Sequence, residues 1–273
     1  MSARNGFQPG VPCWVATVHQ EPEKAMHFYA ELFGWEAEDV MPPGSPSRYF
    51  VCRLRGRDVA AVGSAPAGGT TPVAVWNTHI WVESADDTVA RAIDAGGSVI
   101  TQPFDLADAA RMAVLADPAG AMFCVWQPLE HQGAQLVNEP GAWSMSDVNT
   151  SDLEGSKAFY GALFGWRTEI FDLGDFEYTM WLVSGYEGGE PQQPVPREMV
   201  GGMMPLSGEQ RPGDGPHWRV DFWVDDVDAA AGKAVELGGK IIVAPIDSPV
   251  GRTAVLADPQ GAAFSVSKVA APG

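Results

Sequence analysis

The chain contains one sequence pattern twice. Phe28–Trp35 (FYAELFGW) returns as Phe159–Trp166 (FYGALFGW), and Arg111–Gly120 (RMAVLADPAG) returns as Arg252–Gly261 (RTAVLADPQG). Solenoid proteins repeat over roughly 20–50 residues, whereas these copies lie much further apart. Because 273 residues are enough for two domains of ordinary size, the pattern predicts a tandem duplication of a whole domain.

The pattern of each copy predicts two consecutive β-α-β-β-β units. In the first copy, strand Trp14–Val18 precedes a helix that starts at Pro22, where the missing N–H of proline costs nothing, and ends at Gly34. Strand Trp76–Val82 opens the second unit, whose helix ends at a Gly-Gly pair. The second copy has the same order, and its first helix starts with a capping-box sequence in which Ser151 is the N-cap.

Turns and one irregular segment divide the chain. Asp117–Gly120 and Asp258–Gly261 are turn sequences, because proline presets φ and glycine accepts positive φ. Residues 129–140 are polar and irregular, which is typical of a linker. We therefore expect a first module over residues 9–128 and a second module over residues 141–269.

Composition argues against several classes of protein. The net charge is −18, which disfavours a nucleic-acid partner, because phosphate backbones require basic surfaces. This charge suits a solvated acidic surface and is compatible with a cationic ligand. No apolar run is long enough to span a membrane, and no signal peptide is visible. Three cysteines match no zinc motif and cannot form a full disulfide set, so we expect a cytoplasmic protein. From the charge and the lack of a long apolar run, we expect no nucleic-acid or membrane partner.

The chain resembles the vicinal oxygen chelate superfamily in two motifs, the helix with Phe-Tyr-x-x-Leu-Phe-Gly-Trp and the Asp-Pro-x-Gly turn before an apolar strand. That superfamily includes glyoxalases, bleomycin-resistance proteins and extradiol dioxygenases. More narrowly, the chain is similar to tandem two-domain proteins of the glyoxalase-like or hydroxylase-like type. The resemblance implies an α+β fold of two tandem domains. In each domain, paired βαβββ units would form a curled mixed β-sheet cup with the helices outside.

In that superfamily the cup usually holds a divalent metal bound by His and Glu. Aligned on the two motifs, the ligand positions fall on these residues: Trp14, Asn77 and Cys124 in the first module, and Met145, Arg219 and Ser265 in the second. None of them is His, Glu or Asp, and neither Trp nor Arg can bind a divalent ion. The resemblance thus implies two retained cups that have lost their metal sites and need no cofactor. A bound divalent metal is the alternative.

Alternation along the strands selects the side chains that face each cup. The first cup is expected to be aromatic and sulfur-lined, with these candidate ligand contacts: Trp14, Asn77, His79, Trp81, Cys124 and Trp126. The second cup is expected to be more polar, with these candidates: Met145, Asp147, Arg219, Asp221, Trp223 and Ser265. The tryptophans among them suit stacking on a flat ligand.

Three of these residues are candidate catalytic groups: His79, Arg219 and Asp221. Arg219 could clamp a carboxylate or other anion beside an Asp that acts as a general base, or it could form a structural ion pair that fills the former metal site. His79 and Cys124 could form a base–thiol pair, or they could line a pocket wall. His131, in the linker, is expected to be exposed.

Two functions stay open at this point. The first is metal-independent binding or sequestration of a small aromatic or carbonyl-containing metabolite or antibiotic. The alternative is a metal-independent enzyme, lyase-, isomerase- or hydroxylase-like, in secondary metabolism or aldehyde detoxification. A metal-dependent glyoxalase or dioxygenase is more distant, because the ligands are missing. In each case the partner is a small molecule, and the chain is a monomer or a homodimer.

Overall fold

The computed structural model describes residues 3–65, 74–172, 177–188, 195–206, 215–248 and 251–269. The first module runs in this order: β1 (Pro12–His19), α1 (Pro22–Phe33), β2 (Glu36–Asp39), β3 (Tyr49–Leu54), β4 (Arg57–Ser64), β5 (Val75–Trp81), α2 (Ala85–Asp94), β6 (Ser98–Leu106), β7 (Ala110–Ala116) and β8 (Met122–Pro128). The second module repeats it: β9 (Trp143–Thr150), α3 (Leu153–Phe164), β10 (Arg167–Asp172), β11 (Glu177–Leu182), β12 (Met199–Pro205), β13 (His217–Trp223), α4 (Val227–Glu236), β14 (Lys240–Ser248), β15 (Gly251–Ala257) and β16 (Ala263–Val269). No helix among these elements is long and apolar enough to cross a membrane.

Each module forms one eight-stranded mixed sheet. The strand orders are β2-β3-β4-β1-β5-β8-β7-β6 and β10-β11-β12-β9-β13-β16-β15-β14. Within each βαβββ unit the first and last strands pair in parallel, as β1 does with β4, while the two units of a module meet through an antiparallel pair, β1 with β5. The α+β fold of two tandem domains built from paired βαβββ units is therefore confirmed. The short outer strands β2 and β10 were not anticipated.

The helix ends follow the expected chemistry with one exception. Gly34 and Gly165 end α1 and α3 in the left-handed conformation, with φ of 74° and 71°, which glycine adopts without a steric penalty. The predicted capping box in the second module is wrong. Asp152, not Ser151, is the N-cap of α3, because its carboxylate accepts a 2.9 Å hydrogen bond from the backbone N–H of Gly155.

The helices pack across the two modules. Phe33 of α1 lies 4.8 Å, between ring centroids, from Phe222 on β13 of the other module. Reciprocally, Tyr160 of α3 lies 5.6 Å from Phe123 on β8. The buried hydrophobic residues therefore form two clusters, and each contains residues of both modules. Because each cluster loses apolar contacts if the modules separate, we expect the two modules to behave as one cooperative unit.

The segment between the modules is tied to the first sheet. Within residues 129–140, the backbone N–H of Ala134 donates to the carbonyl of Cys13 at 2.8 Å, and that of Gln135 donates to the carbonyl of Asp58 at 2.7 Å. Leu136 is buried behind these contacts. The segment is thus an ordered strap along the first module, while its assignment as a domain boundary stays a prediction.

Candidate functional site

The polar site lies on the face of the second sheet that points away from the helices. On β13, Trp218 and Phe222 point toward the helices, where the indole N–H of Trp218 donates to the hydroxyl of Tyr160. Arg219 and Asp221 alternate with them and occupy the opposite face. Asp147 on β9 is the register partner of Arg219. We call this face the second cup, and the equivalent face of the first sheet, which carries His79 on β5, the first cup.

Asp221 is held at the centre of the second cup by two serines. Its Oδ2 accepts hydrogen bonds from the hydroxyls of Ser144, at 2.6 Å, and Ser267, at 2.5 Å. The side chain is 7% exposed. Burial, assisted by the nearby charge of Asp147, raises the pKa of Asp221 to about 7, although the serine hydroxyls and Arg219 oppose this rise. Asp221 can therefore gain or lose a proton near neutral pH.

Asp147 carries a second buried carboxyl, and a tyrosine holds it. The hydroxyl of Tyr178 on β11 donates to Oδ1 of Asp147 at 2.6 Å. Burial raises the pKa of Asp147, and the Tyr178 hydrogen bond and the charge of Arg219 counteract that rise. Gly202 on β12 leaves room for this pair, because a Cβ atom there would overlap the Tyr178 hydroxyl. Tyr178 is not among the site residues predicted from the sequence, although Tyr49 begins β3, the corresponding strand of the first module, and could have indicated it.

Arg219 enters the second cup without an ion-pair partner among the described residues. Its Nη2 donates to Oδ1 of Asn149 at 3.3 Å, and no described Asp or Glu oxygen lies within 4.0 Å of its guanidinium. Burial lowers the pKa of Arg219, while Asp147 and Asp221 raise it through their charge. The structural ion pair considered from the sequence therefore does not form between Arg219 and either aspartate.

The remaining residues predicted for the second cup surround this polar group. The thioether of Met145 lies 3.6 Å from the Tyr178 hydroxyl. Ser265 is buried and is the register partner of Asp221, and Trp223 is partly exposed at the end of β13. The second cup therefore combines an apolar wall with convergent polar groups, which is typical of small-molecule sites.

Most of the side chains predicted to line the first cup are buried. Trp14, Cys124 and Trp126 are each at most 2% exposed, and His79 is 4% exposed. The imidazole of His131 packs edge-on against Trp14, with ring centroids 4.6 Å apart, and against Trp126 at 5.6 Å. The expectation that His131 is exposed was wrong, because the Trp126 indole N–H donates to its backbone carbonyl at 3.0 Å and holds it against the cup.

His79 and Cys124 are register partners on β5 and β8. Burial lowers the pKa of His79 to about 4 and raises the pKa of Cys124 to about 12. At neutral pH both groups are uncharged, which is not the form that a reactive base–thiol pair requires. Asn77 and Trp81 on the same strand are partly exposed.

The donor atoms in the cups differ from those of a divalent-metal centre. Across the part of the chain that the structure describes, no group of three or more His, Cys, Asp or Glu side chains could hold a metal ion. On the alignment that the resemblance implies, Arg219 would occupy one superfamily ligand position of the second cup, and Met145 and Ser265 the other two. A cation and two weak neutral donors do not fit Zn²⁺ or Mn²⁺, which require imidazole or carboxylate ligands.

Both modules match one family. The model of the glyoxalase-like domain matches residues 14–126 and again residues 143–267. The chain belongs to the glyoxalase-like family. It is 38% identical, over 99% of each chain, to CFP32 of Mycobacterium tuberculosis, which is named as a candidate glyoxylase. It is 34% identical to the anthracycline biosynthesis protein DnrV of Streptomyces peucetius, over 95% of this chain and 94% of the relative.

Solved structures confirm the glyoxalase-like fold at low identity. The Mn(II)-bound glyoxalase from Novosphingobium aromaticivorans superposes with a TM-score of 0.61 at 16% identity, covering 95% of this chain and 82% of that protein. The 2,2',3-trihydroxybiphenyl 1,2-dioxygenase from Sphingomonas wittichii superposes with a TM-score of 0.59 at 13% identity, covering 95% and 90%. At this identity the likeness concerns the fold and carries no residue roles.

Proposed function

We propose that this glyoxalase-like protein binds a small aromatic or carbonyl-containing metabolite or antibiotic in the second cup, without a metal ion. One observation carries the proposal: Arg219, Asp221 and the Asp147–Tyr178 pair meet on one sheet face where the superfamily places its ligand. Trp223 supplies a partly exposed aromatic surface beside them. Such convergence of a few polar groups with an apolar wall fixes the orientation of a small molecule.

The relative named for anthracycline biosynthesis supports an aromatic, carbonyl-rich ligand, because anthracyclines combine fused rings with carbonyl oxygens. The three free cysteines, Cys13, Cys52 and Cys124, are all buried thiols, which suits a reducing compartment such as the cytoplasm. Two domains in one chain can replace the dimer of single-domain relatives, so a monomer is sufficient for the proposed function and a homodimer is compatible with it.

A metal-independent enzyme is the second candidate, and the protonation of Asp221 favours it. A carboxyl group with a pKa of about 7 can both accept and donate a proton at neutral pH. In a lyase-, isomerase- or hydroxylase-like reaction, Asp221 would exchange a proton with the ligand while Arg219 holds a ligand oxygen. The described part of the first cup offers no comparable group, because burial lowers the pKa of His79 to about 4.

A thermal-shift screen of EDTA-treated protein tests the proposal, because a ligand that binds the native state raises the apparent melting temperature. The screen contains small aromatics, keto-acids, quinone antibiotics and cationic antibiotics, with elemental analysis on the same sample. The expected result is a shift with at least one aromatic or carbonyl compound at well below one metal equivalent per chain. Binding that appears only after Zn²⁺ or Mn²⁺ is added would contradict the proposal and support the metal-dependent alternative.

A further inference from the structure

Among the residues that the structure describes, no direct ion pair compensates the charge of Arg219. A guanidinium has five N–H donors, and only the bond to Asn149 occupies one of them among the described residues. The side chain is partly buried, so water compensates its charge less fully than on an open surface. A partly buried cation with open donors is a binding site for a group that supplies negative charge and acceptor atoms.

The two neighbouring carboxyls do not supply that group. Asp147 accepts its short hydrogen bond from Tyr178 and lies beyond ion-pair distance of the guanidinium. Asp221 directs Oδ2 to Ser144 and Ser267, so a proton on this carboxyl belongs on Oδ1, which has no hydrogen bond from the described residues. Because its pKa is raised to about 7, Asp221 exchanges its proton near neutral pH and is not a permanent counter-charge for Arg219.

We propose that the second cup selects organic anions, namely flat aromatic carboxylates, and that Arg219 is the residue that determines this selectivity. This inference rests on the proposed function of the second cup and gives its ligand class. The planar guanidinium matches a carboxylate through two parallel hydrogen bonds. Trp223 and Met145 provide the apolar wall for the ring. The anion enters although the whole chain is acidic, because the local charge of Arg219 acts at contact distance while distant surface charges are screened.

The first cup provides the internal comparison. The register pair Asp147–Arg219 of the second module corresponds to Ala16–Asn77 in the first. With an amide and a methyl group at these positions, the described part of the first cup has no arginine equivalent to Arg219, and burial lowers the pKa of His79 to about 4. The anion site is therefore a property of one module, and a stoichiometry of one carboxylate per chain follows.

Calorimetric titration of the full, EDTA-treated chain tests the inference with acids and their uncharged amides. The probes are benzoate, 4-hydroxybenzoate and 1-hydroxy-2-naphthoate, each compared with the corresponding amide. At least one acid is expected to bind at one equivalent and at least tenfold more tightly than its amide. Arg219→Gln should remove this preference, while Arg219→Lys should keep it at reduced affinity because lysine retains the charge without the planar fork. Arg252→Gln, which changes a surface arginine paired with Asp228 and Asp247, is the matched control and should bind as the wild type does.

The outcomes separate this inference from the proposed function. If the amides, or neutral aromatics from the thermal-shift screen, bind as tightly as the acids or more tightly, anion selectivity is overturned while small-molecule binding stands. The same conclusion follows if Arg219→Gln, folded by circular dichroism, keeps the preference. If no aromatic or carbonyl compound binds at all, both are overturned.

Discussion

The hydroxyl of Tyr29 donates a 3.0 Å hydrogen bond to Oδ2 of Asp258 in the other module. In the equivalent pair, the hydroxyl of Tyr160 in the second module donates to Oδ2 of Asp117 in the first module at 3.1 Å. These four residues belong to the two motifs that reveal the duplication, the Phe-Tyr helix and the Asp-Pro-x-Gly turn. Each helix motif therefore contacts the turn motif of the opposite copy, and the repeat marks the interface between the modules.

Tyr29→Phe should destabilise the whole chain. The change removes the donor to Asp258 and the acceptor of the Trp76 indole N–H, which lies 2.9 Å from the hydroxyl. Because both buried partners lose a hydrogen bond, we expect the free energy of unfolding to fall by about 1–3 kcal/mol. Urea unfolding measured by circular dichroism checks this value, and Tyr160→Phe is the matched variant with the same expected effect. Two separate transitions in the wild type, one per module, would contradict a shared interface.

The N-cap of α3 gives a local test. Asp152→Ala removes the carboxylate that accepts the Gly155 N–H and should lower the free energy of unfolding by about 1 kcal/mol. Ser151→Ala, one residue earlier, is the control and should have no measurable effect, since Ser151 is exposed and outside the cap. Equal destabilisation by the two changes would show that the capping box of the sequence pattern, and not Asp152 alone, holds the helix start.

The sequence was sufficient for the fold and for part of the second cup. The repeat predicted two modules, and alternation on β13 placed Arg219 and Asp221 together. Tyr178 and Gly202 were missed because their proximity to Asp147 depends on the register of β11, β12 and β9, which no local pattern specifies. The packing of α1 and α3 against the opposite module was not predicted either, because an apolar helix face does not identify the elements that cover it.

Gly202→Ala adds a single methyl group but should strongly weaken ligand binding in the second cup. A methyl group at this position would overlap the Tyr178 hydroxyl and displace it from Asp147. We expect at least a tenfold loss of affinity for the carboxylate probes, measured by calorimetry. Ala61 occupies the corresponding register position in the first module, opposite Ala16, where the extra methyl is accommodated. Gly232→Ala on α4, where a Cβ meets no atom within 4 Å, is the control and should bind normally.

Binding of a carboxylate should weaken at alkaline pH. The pKa of Asp221 is raised to about 7, so ionisation above that pH places a negative charge beside the anion. Among the described residues, the charged or titratable groups that act on Asp221 are Asp147, Tyr178 and Arg219. Tyr178 stays a neutral phenol because its pKa is raised well above its usual value. We expect the affinity for 1-hydroxy-2-naphthoate to fall by up to about tenfold per pH unit above pH 7. Asp221→Asn should remove this pH dependence. A wild-type affinity that is constant from pH 6 to pH 8.5 would contradict the predicted weakening.

Folding stability should also depend on the ionisation of Asp221. Because the folded-state pKa of Asp221 lies above the unfolded value of about 3.9, its contribution to stability is fully present below the unfolded pKa and is lost as pH rises through about 7. Urea unfolding at pH 5 and pH 8.5 measures this loss. As pH rises, the free energy of unfolding of the wild type should fall relative to that of Asp221→Asn. A difference that is constant with pH would show that Asp221 titrates normally.

Binding in the second cup through Arg219 and without a metal ion can be observed in a crystal structure of the EDTA-treated chain soaked with 1-hydroxy-2-naphthoate. We expect one ligand per chain, with its carboxylate on the Arg219 guanidinium, its ring against Trp223 and no metal between them. A ligand seated among Trp14, His79 and Trp126 in the first cup, or one held in either cup by a coordinated metal, would contradict it.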